Sequence, residues 1–116
     1  MRFRDITDAL ECRAVYKSSG YDGIVLHRVV ASDLMSDVLT TDHEGILLVT
    51  SLCTDQAIRT ADIVGAQGIL FVNGKNIFDS MTALAAELDI SILQTKIPKF
   101  EACVRLGRIL DSVHHV

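Results

Sequence analysis

The sequence is poor in several residue types, and each shortage argues against a class of protein. It has no tryptophan, two tyrosines and four phenylalanines, too few for the rows of aromatic side chains on which single-stranded nucleic acids stack. Its 11 lysines and arginines are outnumbered by 15 aspartates and glutamates, so the net charge is −4. A nucleic-acid-binding domain normally carries a basic face, and we therefore expect no nucleic-acid partner.

Long apolar runs are missing as well. No run approaches the roughly 18 consecutive apolar residues that suggest a membrane-spanning helix. The first residues, MRFRD, lack the apolar core of a signal peptide. From these two absences we predict a cytoplasmic protein without a membrane partner.

Cysteines and sequence motifs also exclude several kinds of chemistry. The three cysteines, Cys12, Cys53 and Cys103, show no CxxC spacing, which predicts free thiols rather than disulfides or a zinc site. The histidines show no metal-ligating spacing such as HExxH, so we expect no metal. The signatures GxGxxG, GxxxxGK[ST] and GxSxG are absent. We therefore predict a protein that is not an enzyme and has no resident cofactor.

What is present suits a single folded domain. Hydrophobic residues make up 49% of the chain and charged residues 22%, which is enough apolar surface for a core. Pro98 is the only proline, and no low-complexity linker interrupts the sequence. We therefore expect one domain over residues 1–116.

After residue 45, apolar runs alternate with segments of helical periodicity. Three runs are typical of strands buried on both faces, at residues 46–49, 68–72 and 90–93. The helical pattern covers three groups: Thr54–Val64; Met81, Leu84, Ala85 and Leu88; and, with Pro98 in the first turn, Phe100, Cys103, Val104, Gly107 and Leu110. This order predicts right-handed βαβ units in a three-layer α/β/α fold with a mostly parallel sheet of four to five strands.

The pattern before residue 45 is less regular. It predicts a helix over 4–10, strands over 13–16 and 24–30, and a short helix that Ser32 or Asp33 would cap. Edge pairing of a strand in place of a crossover connection stays open for this part.

Polar residues gather where the predicted strands end. Ligands of open α/β sheets bind beyond the carboxyl ends of the strands, near helix N-termini whose free N–H groups suit an anion. The predicted ligand site comprises Ser32, Asp33, Ser36, Thr50, Ser51, Thr54, Asn73, Gly74 and Thr95. Such residues also cap helices and form turns, and that alternative stays open for each segment. Asn73-Gly74 in particular suits a turn with positive φ.

Four side chains are the candidates for a catalytic role. Asp33 and Asp37 are four residues apart, so a helix would place both on one face, where they could exchange protons or simply complement the helix dipole. Cys53 lies near a helix start, where a thiol pKa can fall, although a buried and unreactive thiol is the alternative. Lys75 is the fourth candidate. Nothing in their spacing demands catalysis.

Three segments carry a resemblance to a known family: GILLVTSLCTDQAIRTADIVGAQGILFVNGK, LAAELDISILQT and FEACVRLGRIL. Together they span Gly45 to Leu110 and resemble the DRTGG domain family. Asn73-Gly74-Lys75 stands where that family has Thr-Gly-Gly, and Cys53-Thr54 stands near its Asp-Arg. Upstream, VVASDLMSDVL is similar to small stand-alone members. The resemblance implies an α/β domain like the N-terminal domain of HPr kinase/phosphorylase, usually a regulatory or assembly module.

These observations predict a non-catalytic regulatory or assembly module. It would bind a small anionic or nucleotide-like ligand at the carboxyl ends of the strands, as a homodimer. The alternative is a pure protein–protein interaction subunit of a redox-linked or kinase-linked system. Its partner protein would contact either the last helix or an apolar helix face comprising Leu34, Met35, Val38 and Leu39.

Overall fold

Helices and strands alternate along most of the chain. The structure, a computed structural model, describes residues 1–42 and 44–114, with side chains as far as Asp111. The helices are α1 (Phe3–Leu10), α2 (Met35–Val38), α3 (Asp55–Val64), α4 (Asp79–Leu88) and α5 (Lys99–His114). The strands are β1 (Arg13–Tyr16), β2 (Arg28–Ala31), β3 (Ile46–Thr50), β4 (Gly68–Phe71) and β5 (Ser91–Gln94). No helix among the described residues is long and apolar enough to span a membrane.

The strands form one sheet in the order β1-β5-β4-β3-β2. Strands β2 to β5 are parallel, and β1 pairs with β5 in the antiparallel sense. The mostly parallel sheet is thus confirmed, with edge pairing in place of one crossover. Because β1 is antiparallel, it begins where β5 ends, and Arg13 lies opposite Gln94.

Helices cover both faces of the sheet. Since β2, β3, β4 and β5 are neighbours in chain order and such crossovers are right-handed, α2, α3 and α4 share one face. That face buries Met35, Ile58 and Leu84 with Leu48, Ile69, Phe71 and Ile92 of the strands. The other face buries Phe3, Ile6, Ala102 and Leu106 of α1 and α5 with Leu47, Val49, Leu70 and Leu93. The predicted three-layer α/β/α fold is confirmed.

The connection after β5 leaves toward a different face from the others. Residues 95–98 cross the carboxyl edge of the sheet, where Asn73 N donates to Ile97 O and Gly74 N donates to Thr95 O, both at 3.0 Å. Loops that leave toward opposite faces open a crevice at this edge, which is where ligands of α/β sheets bind.

The strand predicted over 24–30 is wrong in its first half, because pairing with β3 begins at Arg28. The backbone N–H of Leu26 instead donates to Met1 O at 2.6 Å, and the amino group of Met1 donates to Leu26 O at 3.1 Å. The side chain of Leu26 is fully buried. Leu26 therefore joins the start of the chain to the core, and this segment does not extend the sheet.

The predicted apolar stripe of the last helix is also partly wrong. Phe100 is 82% exposed and Val104 is 37% exposed, whereas the fully buried positions are Ala102 and Leu106. Cys103 and Leu110 are partly buried against this core. The helix is rotated relative to the prediction, and small Ala102 lies against the sheet.

The apolar face proposed for partner binding is divided. Met35 and Val38 belong to the core, while Leu34 and Leu39 are 58% and 49% exposed. Because half of this face is occupied by the protein's own interior, it does not form the docking surface that the sequence predicted.

Candidate functional site

One carboxylate joins the ends of β2 and β3 to the start of α5. Asp33 Oδ1 accepts hydrogen bonds from Thr50 Oγ1 at 2.9 Å and Ser51 N at 2.8 Å. Asp33 Oδ2 accepts from Ser51 Oγ at 2.6 Å and from Lys99 Nζ at 2.8 Å. We call these four residues the Asp33 cluster. Thr50 is fully buried, while the side chains of Asp33 and Lys99 are 41% and 38% exposed.

The turn after β2 determines the position of Asp33. Ser32 Oγ accepts a hydrogen bond from Leu34 N at 3.0 Å, which is the local turn expected of a serine in a loop. The predicted cap is wrong, since α2 begins after Leu34 and no side chain caps it. Asp33 is therefore free to bind the end of β3 instead. Ser36 is exposed on α2 and takes no part in the Asp33 cluster.

Asp33 is charged at neutral pH. Burial pushes the pKa of this carboxyl upward, but hydrogen bonds from Lys99, Ser51 and Thr50 outweigh burial and hold the pKa well below its usual range. Because Asp33 precedes α2, it does not share a helical face with Asp37. The predicted carboxylate pair is therefore not formed, and a general acid at Asp33 is not favoured.

The other end of the same edge is open. A cavity of about 420 Å³ is lined by Glu11, Arg13, Gly74, Asn76, Gln94, Thr95, Lys96 and Ile97, and we call it the Arg13 pocket. Its lining includes two cationic side chains, Arg13 and Lys96, and one carboxylate, Glu11, in a chain whose net charge is −4. Arg13 Nη2 donates to Gln94 Oε1 at 2.9 Å, and Gln94 Nε2 donates to Lys75 O, so these two lining side chains are bonded to each other and to the connection between β4 and α4.

A left-handed turn lies between the Asp33 cluster and the Arg13 pocket. Asn73 and Gly74 both have φ of +64°, which confirms the predicted turn with positive φ. Gly74 lines the Arg13 pocket, while Asn73 Oδ1 accepts from Lys99 N at 3.3 Å. This turn therefore connects the two halves of the carboxyl edge.

Two predicted hydroxyls have structural partners. Thr95 Oγ1 is buried, donates to Leu10 O at 2.9 Å and accepts from Ile97 N at 3.2 Å, so Thr95 lines the pocket with its hydroxyl already bonded. Thr54 Oγ1 accepts from Ala57 N at 3.4 Å and caps α3. For Thr54 the capping alternative is confirmed.

The thiols are not activated. Cys53 Sγ lies 3.1 Å from Asn76 O, and burial raises the thiol pKa even though the nearby charge of Lys75 lowers it in part. No hydrogen bond or ion pair joins Cys53 to Asp33 in the described part of the chain. Within the same residues, no three His, Cys, Asp or Glu side chains gather closely enough to hold a metal ion.

Sequence reasoning missed Arg13 and Lys99. Arg13 opens an antiparallel strand, and a rule that considers only the carboxyl ends of parallel strands does not reach it. Lys99 lies in the first turn of α5, where the helix dipole disfavours a cation. A lysine at that position was a usable signal that an anion lies nearby.

Neither a protein-family model nor a curated protein matches the sequence. Among solved structures, the chain is similar to the CBS and DRTGG domains of the regulatory region of Clostridium perfringens pyrophosphatase, which was crystallised with its activator diadenosine tetraphosphate. The TM-score is 0.76 at 14% identity, covering 97% of this chain and 49% of that one. The chain thus spans about half the length of this neighbour and shares its α/β fold.

Proposed function

We propose that the protein is a non-catalytic regulatory module whose Arg13 pocket binds a small anionic, nucleotide-like ligand. The observation that carries this proposal is the open, cationic cavity at the carboxyl edge of the sheet. Its volume of about 420 Å³ falls within the range of about 300–1,000 Å³ that is usual for small-molecule sites.

Position and charge together distinguish this cavity from others of similar size. One of about 380 Å³ is lined by Arg4, Lys17 and Asp22 and so has the same balance of charges, but it lies on α1, β1 and the segment after β1 rather than at the ends of the parallel strands. A cavity of about 470 Å³ lies at the opposite edge of the sheet, between the segments that precede β2, β3 and β4. Glu44 is on its wall, and no lysine or arginine is among the described residues that line it. Arg13 and Lys96 give the Arg13 pocket the donors that phosphate groups prefer.

The remaining lining groups suit the rest of a nucleotide. Gly74 lets a ligand approach the backbone, because it has no side chain. The exposed amide of Asn76 can bind hydroxyl or base groups, and it favours an uncharged part of the ligand at that side. The amide of Gln94 is already bonded to Arg13 and to Lys75 O. The phosphate end would then contact Arg13 and Lys96.

The fold supports a regulatory role rather than a catalytic one. The structural neighbour is a regulatory region that binds a nucleotide activator. In this chain the most polar cluster is internally bonded, and burial raises the pKa of the Cys53 thiol. Neither group is poised to transfer a proton or attack a substrate at neutral pH.

Calorimetry and thermal unfolding with ATP, diadenosine tetraphosphate and inorganic phosphate test the proposal. A ligand that binds only the native state raises the unfolding temperature. The Arg13→Gln/Lys96→Gln variant should lose at least about tenfold in affinity, or about 1.4 kcal/mol. Arg108→Gln, which changes an exposed arginine far along α5, is the matched control. Absence of binding by every anion, or equal binding by pocket variant and control, would contradict the proposal.

A protein partner is the second candidate, and two exposed aromatic residues favour it. Phe78 precedes α4 and Phe100 lies in the first turn of α5, with exposures of 65% and 82%. Both lie at the carboxyl edge, where they could contact a second copy of the chain. Light scattering on the native protein and on Phe78→Ser/Phe100→Ser tests a homodimer. A native protein that stays monomeric at high concentration would exclude it.

A further inference from the structure

The Asp33 cluster has the composition of an anion site that is already filled. Four donors of three kinds converge on one carboxylate: a backbone N–H, two hydroxyls and an ammonium group, at 2.6 to 2.9 Å. Phosphate groups bind in proteins through these same donors, beyond the ends of parallel strands.

The donors and the acceptor are held in different ways. Thr50 is anchored in the sheet, where its carbonyl accepts from Val72 N at 3.1 Å. The backbone N–H of Lys99 donates to Asn73 Oδ1. Asp33 lies in the connection between β2 and α2, and its side chain is 41% exposed, close to the 38% of Lys99. A partly exposed carboxylate on a connection can leave while Thr50, at the end of β3, keeps its place.

We propose that Thr50, Ser51 and Lys99 form an oxyanion site in which Asp33 is a resident competitor that the phosphate group of a ligand displaces. Displacement would break the Asp33–Lys99 ion pair. Of the two ion pairs in the described part of the chain, this one joins different elements, whereas Glu101–Arg105 lies within α5. Phosphate binding would therefore release the β2–α2 connection from α5, which is a structural response to ligand.

The oxyanion site extends the proposed function, and the identity of its natural ligand rests on that function. The Asn73-Gly74 turn contacts both places, since Gly74 lines the Arg13 pocket and Asn73 bonds the start of α5. A nucleotide bound in the pocket would thus be linked to the oxyanion site through this turn.

Inorganic phosphate is the probe, with calorimetry and amide chemical shifts as readouts. Asp33→Ala removes the competitor and should bind phosphate at least about tenfold more tightly than the native protein. The amide of Ser51 should shift on binding, and the added change Lys99→Gln should remove the gain. Asp37→Ala, which removes a neighbouring exposed carboxylate, is the control and should behave like the native protein.

Further measurements distinguish an oxyanion site from a hydrogen-bonded cluster that has only a structural role. If acetate restores the stability of Asp33→Ala and phosphate does not, the cluster accepts only its own carboxylate and the proposal is overturned. Equal phosphate affinity in Asp33→Ala and Asp37→Ala also overturns it. Should Asp33→Ala fail to fold, Asp33→Asn keeps the shape without the charge and is expected to gain phosphate affinity, with a smaller change.

Failure of this inference is distinguishable from failure of the proposed function. The Arg13→Gln/Lys96→Gln variant is expected to lose nucleotide binding. The same two changes placed on Asp33→Ala should leave its phosphate binding intact. If phosphate binding disappears instead, the anion lies in the Arg13 pocket and the oxyanion site is contradicted.

Discussion

The two ends of the carboxyl edge are built from similar residues, but at one end these residues bond one another and at the other they surround an open cavity. In the Asp33 cluster, hydroxyls, a lysine and a carboxylate bond one another at 2.6 to 2.9 Å. In the Arg13 pocket, cations and amides surround about 420 Å³ of open space. Polar residues after parallel strands therefore present an open site only where a neighbouring side chain does not already occupy their hydrogen-bonding groups.

The difference also predicts which substitutions lower the stability of the fold and which lower the affinity for a ligand. Removing a group from the Asp33 cluster leaves partly buried partners without bonds, which destabilises the fold. Removing an exposed side chain from the Arg13 pocket leaves mainly solvent behind.

Asp33→Ala should lower the free energy of unfolding by about 2–3 kcal/mol, because the hydroxyl of buried Thr50 and the N–H of Ser51 lose their acceptor. Arg13→Ala should change it by less than about 0.5 kcal/mol. Urea unfolding monitored by circular dichroism measures both. Equal losses in the two variants would remove the distinction between the closed and the open end.

Thr95→Val should cost about 1–2 kcal/mol of stability, since Leu10 O and Ile97 N both lose a partner. Nucleotide affinity should stay within about twofold, because the hydroxyl is already bonded within the protein. Chemical unfolding and calorimetry on the same preparation check this pair of results. A tenfold loss of affinity with unchanged stability would place Thr95 among the ligand contacts.

The stability that Asp33 contributes should depend on pH in one direction. Its pKa is lower in the folded protein than in the unfolded chain, so the folded state favours the charged form. The contribution is complete above the ordinary aspartate pKa of about 3.9 and is lost as the pH falls below it. Unfolding of the native protein and of Asp33→Asn across this range should therefore show a difference that narrows with acid. A difference that widens instead would mean that the folded state favours the protonated carboxyl.

The smallest effect concerns the thiols. Burial raises the pKa of Cys53, and it raises the pKa of Cys12 to about 11, so at neutral pH both should react more slowly than free cysteine. Alkylation of each site, followed by mass spectrometry, measures this. Rapid modification of Cys53 would point to an activated thiol beside the Arg13 pocket and would reopen a catalytic interpretation.

Much of the fold was predictable because three strands are buried on both faces and are therefore continuous apolar runs. Ile46–Thr50 and Gly68–Phe71 show this pattern, and every residue in them is buried. The rotation of α5 was not predictable. Phe100 and Ala102 are both apolar, and the tertiary packing of the helix decides which of them is buried.

The site was predictable only in its outline. The sequence places Asp33, Thr50 and Ser51 near one edge, and the structure brings them together. Which partner a hydroxyl or carboxylate takes depends on distances that residue types do not encode. The sequence therefore could not show that these three residues bond one another, or that an open cavity lies beside Arg13.

Amide chemical-shift mapping of the native protein, titrated with ATP and with diadenosine tetraphosphate, shows where on the fold a nucleotide binds. Nucleotide binding at the carboxyl edge predicts the largest shifts at Arg13, Gly74 and residues 94–97. Shifts confined to the opposite cavity near Gly45, Gly65 and Gln67, or no shifts at millimolar nucleotide, would contradict it.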